Sequence, residues 1–129
     1  MEVGSLRSLM QPRAGTGPEH DDPALRGRVY AIPFDRVWSE ALRMAGGGLR
    51  GWAILRADDQ DGLIEAEAVR LVSRAVDDVE IRICLDSNAQ TRVDLTSRSR
   101  NQRPDMGANR RRILKFMREM DARLGVSSS

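Results

Sequence analysis

A chain of 129 residues that is 40% hydrophobic and 31% charged has the length and composition of one globular domain, and its net charge of +2 sets up no strong overall field. No apolar run approaches the ~18 residues needed to cross a bilayer, and no charged, apolar, small-residue leader opens the chain, so neither a membrane span nor export is expected, and a cytoplasmic location is. A single cysteine, Cys84, excludes an internal disulfide, and the only histidine, His20, lacks the spaced partners that a histidine metal site needs.

Residues 1–25 hold Pro12, Gly15, Gly17, Pro18 and Pro23 without sustained periodicity, which predicts a flexible tail with at most a helical turn near Leu6 to Met10. Arg28 to Ile32 is a short apolar strand stopped by Pro33. From Phe34, the residues Val37, Trp38, Ala41, Leu42 and Ala45 form one broad helical face, and Gly46, Gly47 and Gly48 end that helix. Trp52 to Ala57 and Leu63 to Leu71 read as a hairpin joined by Asp58-Asp59-Gln60-Asp61-Gly62. That acidic turn is not a calcium loop, because the alignment that uses Asp59 and Asp61 leaves Ala57 and Ala68 where oxygen ligands are required.

Val79 to Leu85 and Thr91 to Ser99 alternate in the manner of half-buried antiparallel strands. A hairpin around Ser87-Asn88-Ala89 sets Arg82 against Asp94, Asp78 against Arg98, Ile81 against Leu95 and Ile83 against Val93. Shortening the register by two would oppose like charges, which is disfavoured by roughly 0.2–1 kcal/mol per pair, whereas lengthening it by two sets Glu80 against Arg98 and stays open. The closing helix is expected to start at Asp105 behind Pro104, with Asp105 as its cap. Met106, Ile113, Met117, Met120 and Leu124 then lie along its apolar face and Phe116 at the edge of that face. The resulting β-α-β-β-β-β-α order predicts an α+β fold over residues 26–125, an antiparallel sheet with two helices packed on one face, and residues 126–129 as a second tail.

Polar residues concentrate late in the chain. Arg98 to Arg118 carry eight positive side chains and one negative, Asp105. The motifs Asp77-Asp78-Val79-Glu80, Ser97-Arg98-Ser99-Arg100 and Asp105-x-Gly107-x-Asn109-x-x-Arg112-Ile113 together resemble the signature of domain-of-unknown-function family 1499, over roughly Gly27 to Leu124. The resemblance implies the fold without implying an activity.

These residues suggest a non-enzymatic binding or interaction module. Asp78, Arg98, Arg100, Asp105, Asn109 and Arg112 would gather beside the N-terminus of the last helix, where backbone N–H groups and guanidinium forks favour an anionic small molecule or protein partner. The structural alternative is that Asp78 pairs with Arg98 while Asp105 caps its own helix. A metal-assisted hydrolase using Asp77 and Asp78 is disfavoured, because neighbouring strand residues point to opposite faces. Nucleic-acid binding through Arg110 to Arg118 is disfavoured as well, since consecutive helical residues diverge by about 100° each and no aromatics interleave them. No cofactor and no metal is expected.

Overall fold

The computed structural model describes residues 13–126. Six strands form one antiparallel sheet: β1 (Arg13–Gly15), β2 (Arg28–Tyr30), β3 (Trp52–Asp58), β4 (Leu63–Val69), β5 (Val76–Leu85) and β6 (Thr91–Ser99). Strands β3 to β6 make a meander of consecutive hairpins, and the two short strands β1 and β2 share the outer edge of β6. Helices α1 (Phe34–Arg43) and α2 (Ala108–Arg123) cover one face of this sheet.

Alternation along the strands explains which face is covered. Ile64, Ala66 and Ala68 of β4 pair with Ile81, Val79 and Asp77 of β5, and those residues are buried together with Ile83, Val93 and Leu95. Leu63, Glu65, Glu67, Glu80, Arg82, Arg92 and Arg98 take the opposite parity and line the open face. The register of the last hairpin is the expected one, with Asp78 opposite Arg98 and Arg82 opposite Asp94.

The helices supply the other half of the core. Val37, Trp38 and Ala41 of α1 and Ile113, Phe116, Met117 and Met120 of α2 are buried, whereas Leu42 is only half-buried at the margin. Beyond Arg43, Met44–Gly48 continue as a wider helical turn in which Gly47 takes φ 117°, so the glycine triplet ends the helix as its composition implies. The β3–β4 turn depends on one glycine. Gly62 has φ 67°, and a Cβ there would lie 2.0 Å from the carbonyl oxygen of Ile83. Asp58 fastens the same turn by accepting the Gln60 and Asp61 N–H groups, so the acidic residues of this loop include its own clasp.

Two expectations need correction. Of the supposed N-terminal tail, residues 13–25 are part of the fold; Met1 to Pro12, including the helical turn expected near Leu6 to Met10, and residues 127–129 lie outside the described residues. β1 pairs with Thr96–Arg98, the Thr16 hydroxyl donates to Asp94 at 2.6 Å, Leu25 is buried, and Arg110 donates to Asp22 at 2.8 Å. The edge of β6 carries unpaired backbone groups that this segment satisfies. A three-residue strand is too short to show a period, so proline and glycine content dominated the sequence reading. The second correction concerns α2, which begins at Ala108, with Met106 left 63% exposed.

Candidate functional site

At the end of the sheet where β5 starts and β6 finishes, polar side chains replace hydrocarbon on the helix-covered face. Asp77, Ser97 and Ser99 have the same parity as Val79, Val93 and Leu95, so the strands carry them beneath α2, where all three are buried. A carboxylate taken out of water requires partners, and Asp77 has two. Arg70, just past the end of β4, donates from Nε at 2.9 Å and from Nη2 at 2.8 Å, and Arg112 of α2 donates from Nη1 to the same carboxylate. Arg70 Nη2 also reaches the Ser99 hydroxyl at 2.9 Å. The hydrogen bond to Asp77 is the main reason that the Arg70 guanidinium is held above its ordinary pKa, with smaller help from the charges of Asp77 and Asp105.

The same network builds the entrance to α2. Asp105 Oδ1 accepts the Gly107 N–H at 2.8 Å, while Oδ2 accepts the Asn109 N–H at 3.1 Å and Asn109 Nδ2 at 2.5 Å. Two of the helix's orphan donors are satisfied this way, the service expected of a cap, although Asp105 sits before the first helical residue. This grip folds Met106 and Gly107 into left-handed conformations, φ 53° and 84°, which turns the Met106 side chain away from the core. Asn109 is fully buried, accepts the Ser97 hydroxyl at 2.6 Å and donates to Ser99 at 3.3 Å. Strand β6, the loop before α2 and α2 itself are thereby joined by one continuous set of hydrogen bonds.

The sequence-derived cluster is divided by the sheet. Asp105, Asn109 and Arg112 converge on the covered side, around Asp77 rather than Asp78. Asp78 and Arg98 face each other in register on the open side, but Asp78 takes its hydrogen bonds from Arg100, at 3.1 and 2.7 Å. Arg100 also donates to Glu67 at 3.0 Å, and these exposed pairings hold its pKa above the ordinary value. Arg98 has no carboxylate partner among the described residues. The residues that sequence reasoning missed are Arg70 and the role of Asp77. Parity offered the signal for both, since Asp77 continues the Val79–Ile81–Ile83 series and Arg70 continues the Ile64–Ala66–Ala68 series.

Asp77 and Asp78 point to opposite sides of the sheet and do not form a paired-carboxylate site. The run Arg110-Arg111-Arg112 is equally divided: Arg110 binds Asp22, Arg111 donates to the Met106 carbonyl at 3.0 Å, and Arg112 binds Asp77. Among the described residues, no helix is long and apolar enough to cross a membrane.

A groove of about 240 Å³ opens beside the Asp77 node, between the first half of α2 and the adjoining ends of β3 and β4. Its apolar wall includes Leu49, Trp52, Leu71 and Phe116, with the Trp52 and Phe116 rings stacked at 5.6 Å and 23°. Its charged lining is Arg50, Arg70, Arg111, Arg112 and Lys115, with no carboxylate among the described lining residues. No buried side-chain polar atom lacks a partner among the described residues, so the N–H groups that Arg70 and Arg112 do not direct at Asp77, Ser99 or the backbone remain open to water. Inside the node two guanidiniums balance Asp77 and Asp105. The surplus positive charge therefore resides at the rim, in Arg50, Arg111 and Lys115.

No curated protein and no solved structure matches the chain. The model of the family described as protein of unknown function (DUF1499) matches residues 19–120, a span that includes β2 to β6, α1, most of α2 and every residue of the buried node. With that match covering most of its length, the chain belongs to the DUF1499 family.

Proposed function

We propose that this domain is a non-enzymatic binding module that takes up a small anionic molecule in the groove beside Arg70 and Arg112. The observation that carries the reading is the arrangement of five cationic side chains around an apolar pocket with no carboxylate lining it among the described residues. Asp77 fixes two of the guanidiniums in advance, so an entering carboxylate or phosphate meets donors whose side-chain freedom is already restricted. The rim supplies charge that no carboxylate among the described residues pairs with there. Of the residues singled out in the sequence, Arg112 makes direct contact in this reading, and Asp105 and Asn109 support the helix that bears it. Asp78, Arg98 and Arg100 belong to the other side of the sheet and take no part. A cytoplasmic setting fits a module of this kind.

Thermal unfolding with and without inorganic phosphate or acetate tests the reading. The parent protein is expected to gain stability with added anion, following the mass-action increment of about 2.7 kcal/mol at one hundred times the dissociation constant. Arg112→Gln and Lys115→Gln should each diminish that increment, whereas Arg98→Ala should retain it. An unchanged transition temperature of the parent across both anions would remove the proposal.

A further inference from the structure

We infer that the ligand of this groove is a small amphiphilic anion, one carboxylate or phosphate head on an apolar chain or ring. The inference rests on the anion reading above and specifies what else the ligand must carry. A hydrated inorganic ion would use the cations and leave the Trp52 and Leu71 side chains against water. Leu71 is 60% exposed at the lip of the groove, and Trp52 is half-buried behind it, stacked on the fully buried Phe116. An apolar body laid along Leu49, Trp52 and Leu71 covers that surface while its head meets the N–H groups that Arg70 and Arg112 leave unused.

Size narrows the class. A volume of about 240 Å³ lies below the roughly 300–1,000 Å³ of sites for drug-sized ligands. At about 30 Å³ for each water-sized group it accommodates on the order of eight such groups. A nucleotide or a two-chain lipid exceeds this space. A sugar phosphate would set hydroxyl groups against the aromatic wall without partners, a loss that the site does not repay.

Binding of monomeric acetate, butyrate, hexanoate and octanoate, followed by tryptophan fluorescence and calorimetry, tests the inference, with hexanol as the headless control. The dissociation constant is expected to fall roughly two- to fourfold per methylene and to level off near eight carbons. Hexanol should bind at least about tenfold more weakly than hexanoate, the size of effect expected from losing a charge-assisted contact. Leu71→Ser, at an exposed position that does not endanger folding, should flatten the chain-length dependence, weakening octanoate far more than acetate. Equal affinity from acetate to octanoate would overturn the amphiphile while the anion reading survives. Absence of binding by every carboxylate and by phosphate would overturn both. Hexanol matching hexanoate would overturn the role of the head group. Retention on phosphatidylcholine–phosphatidylserine vesicles without any binding of the monomers would also overturn the inference, making this surface a bilayer contact.

Discussion

Replacing Asp77 by asparagine probes the energetics of the buried node, because the side chain keeps its shape while losing its charge and one of its two acceptor oxygens. The carboxylate is fully buried and accepts three hydrogen bonds from guanidinium groups, two from Arg70 and one from Arg112. Removing one member of a buried ion pair costs about 3–5 kcal/mol when the remaining charge is sealed from water. Here the Arg70 and Arg112 side chains retain 23% and 13% exposure, and the amide oxygen still accepts one donor, so the expected cost falls to about 2–4 kcal/mol. At about 4 °C per kcal/mol for a domain of this size, the transition temperature should drop by about 8–16 °C. The neighbouring Asp78→Asn serves as the internal control. Asp78 and Arg100 are 33% and 46% exposed, and solvent screens such a surface pair, so its loss should be much the smaller of the two. Urea unfolding of both variants, monitored by tryptophan fluorescence, gives the comparison directly. Equal losses at the two positions, or a loss below about 1 kcal/mol for Asp77→Asn, would refute the view that the node organises this end of the domain.

Other perturbations probe separate parts of the fold. Ile83→Ala, at a fully buried position on β5, should cost about 2–5 kcal/mol in equilibrium unfolding, and a negligible loss would mean that the strand presents its other face to the helices. Gly62→Ala combines a left-handed backbone, φ 67°, with a Cβ driven into the Ile83 carbonyl, so its destabilisation should exceed the ~1–2 kcal/mol of left-handed strain alone. Tyr30 is pushed above its ordinary pKa of 10.0, first by burial and then by its hydrogen bond to Asp121. Because the folded protein favours the protonated phenol, this contribution is complete below pH 10 and is lost as the pH rises further. Tyr30→Phe should therefore flatten the alkaline limb of the stability profile, and an identical limb in both proteins would count against the assignment. Asp22 is held below 3.8 chiefly by Arg110, which makes its stabilisation present above that pH and lost on acidification below it. The parent's advantage over Asp22→Asn should be small, since the pair is about one-third exposed, and should vanish in acid.

The sheet was legible in the sequence because hydrophobic alternation and charge opposition constrain the same register. Charge opposition excludes the alignment of β5 and β6 shorter by two and leaves the one longer by two open; the alignment present is the one with Arg82 opposite Asp94 and Ile83 opposite Val93. The site was less legible because opposition within a strand pair identifies neighbours without identifying the face on which they matter. Asp78 and Arg98 satisfied the charge pattern, yet their parity belongs to Glu80 and Thr96 on the open side. Asp77 stands just ahead of the Val79 to Leu85 alternation, and continuing that series by one step is what takes it beneath α2. Arg70 was harder still, since it follows the last residue of β4 and acquires its meaning only when the β4–β5 hairpin returns Asp77 beside it. Helix periodicity located most of the α2 core but misplaced Met106, because a carboxylate binding two backbone donors overrides the preference of a methionine for the interior.

The short strands on the edge of β6 also impose an order of events during synthesis. Thr16 leaves the ribosome well before Asp94, its hydrogen-bond partner 78 residues further along. The hairpins from β3 to β6 join neighbouring segments and close quickly, whereas docking β1 requires a long loop to be drawn in at greater entropic cost. Until β6 is made, β1 has no strand to pair with, and once β6 is made this part of its edge stays bare until β1 arrives. The nascent domain thus passes through an interval in which an exposed strand edge can recruit a neighbouring chain, and the rate of β1 docking sets how long that interval lasts.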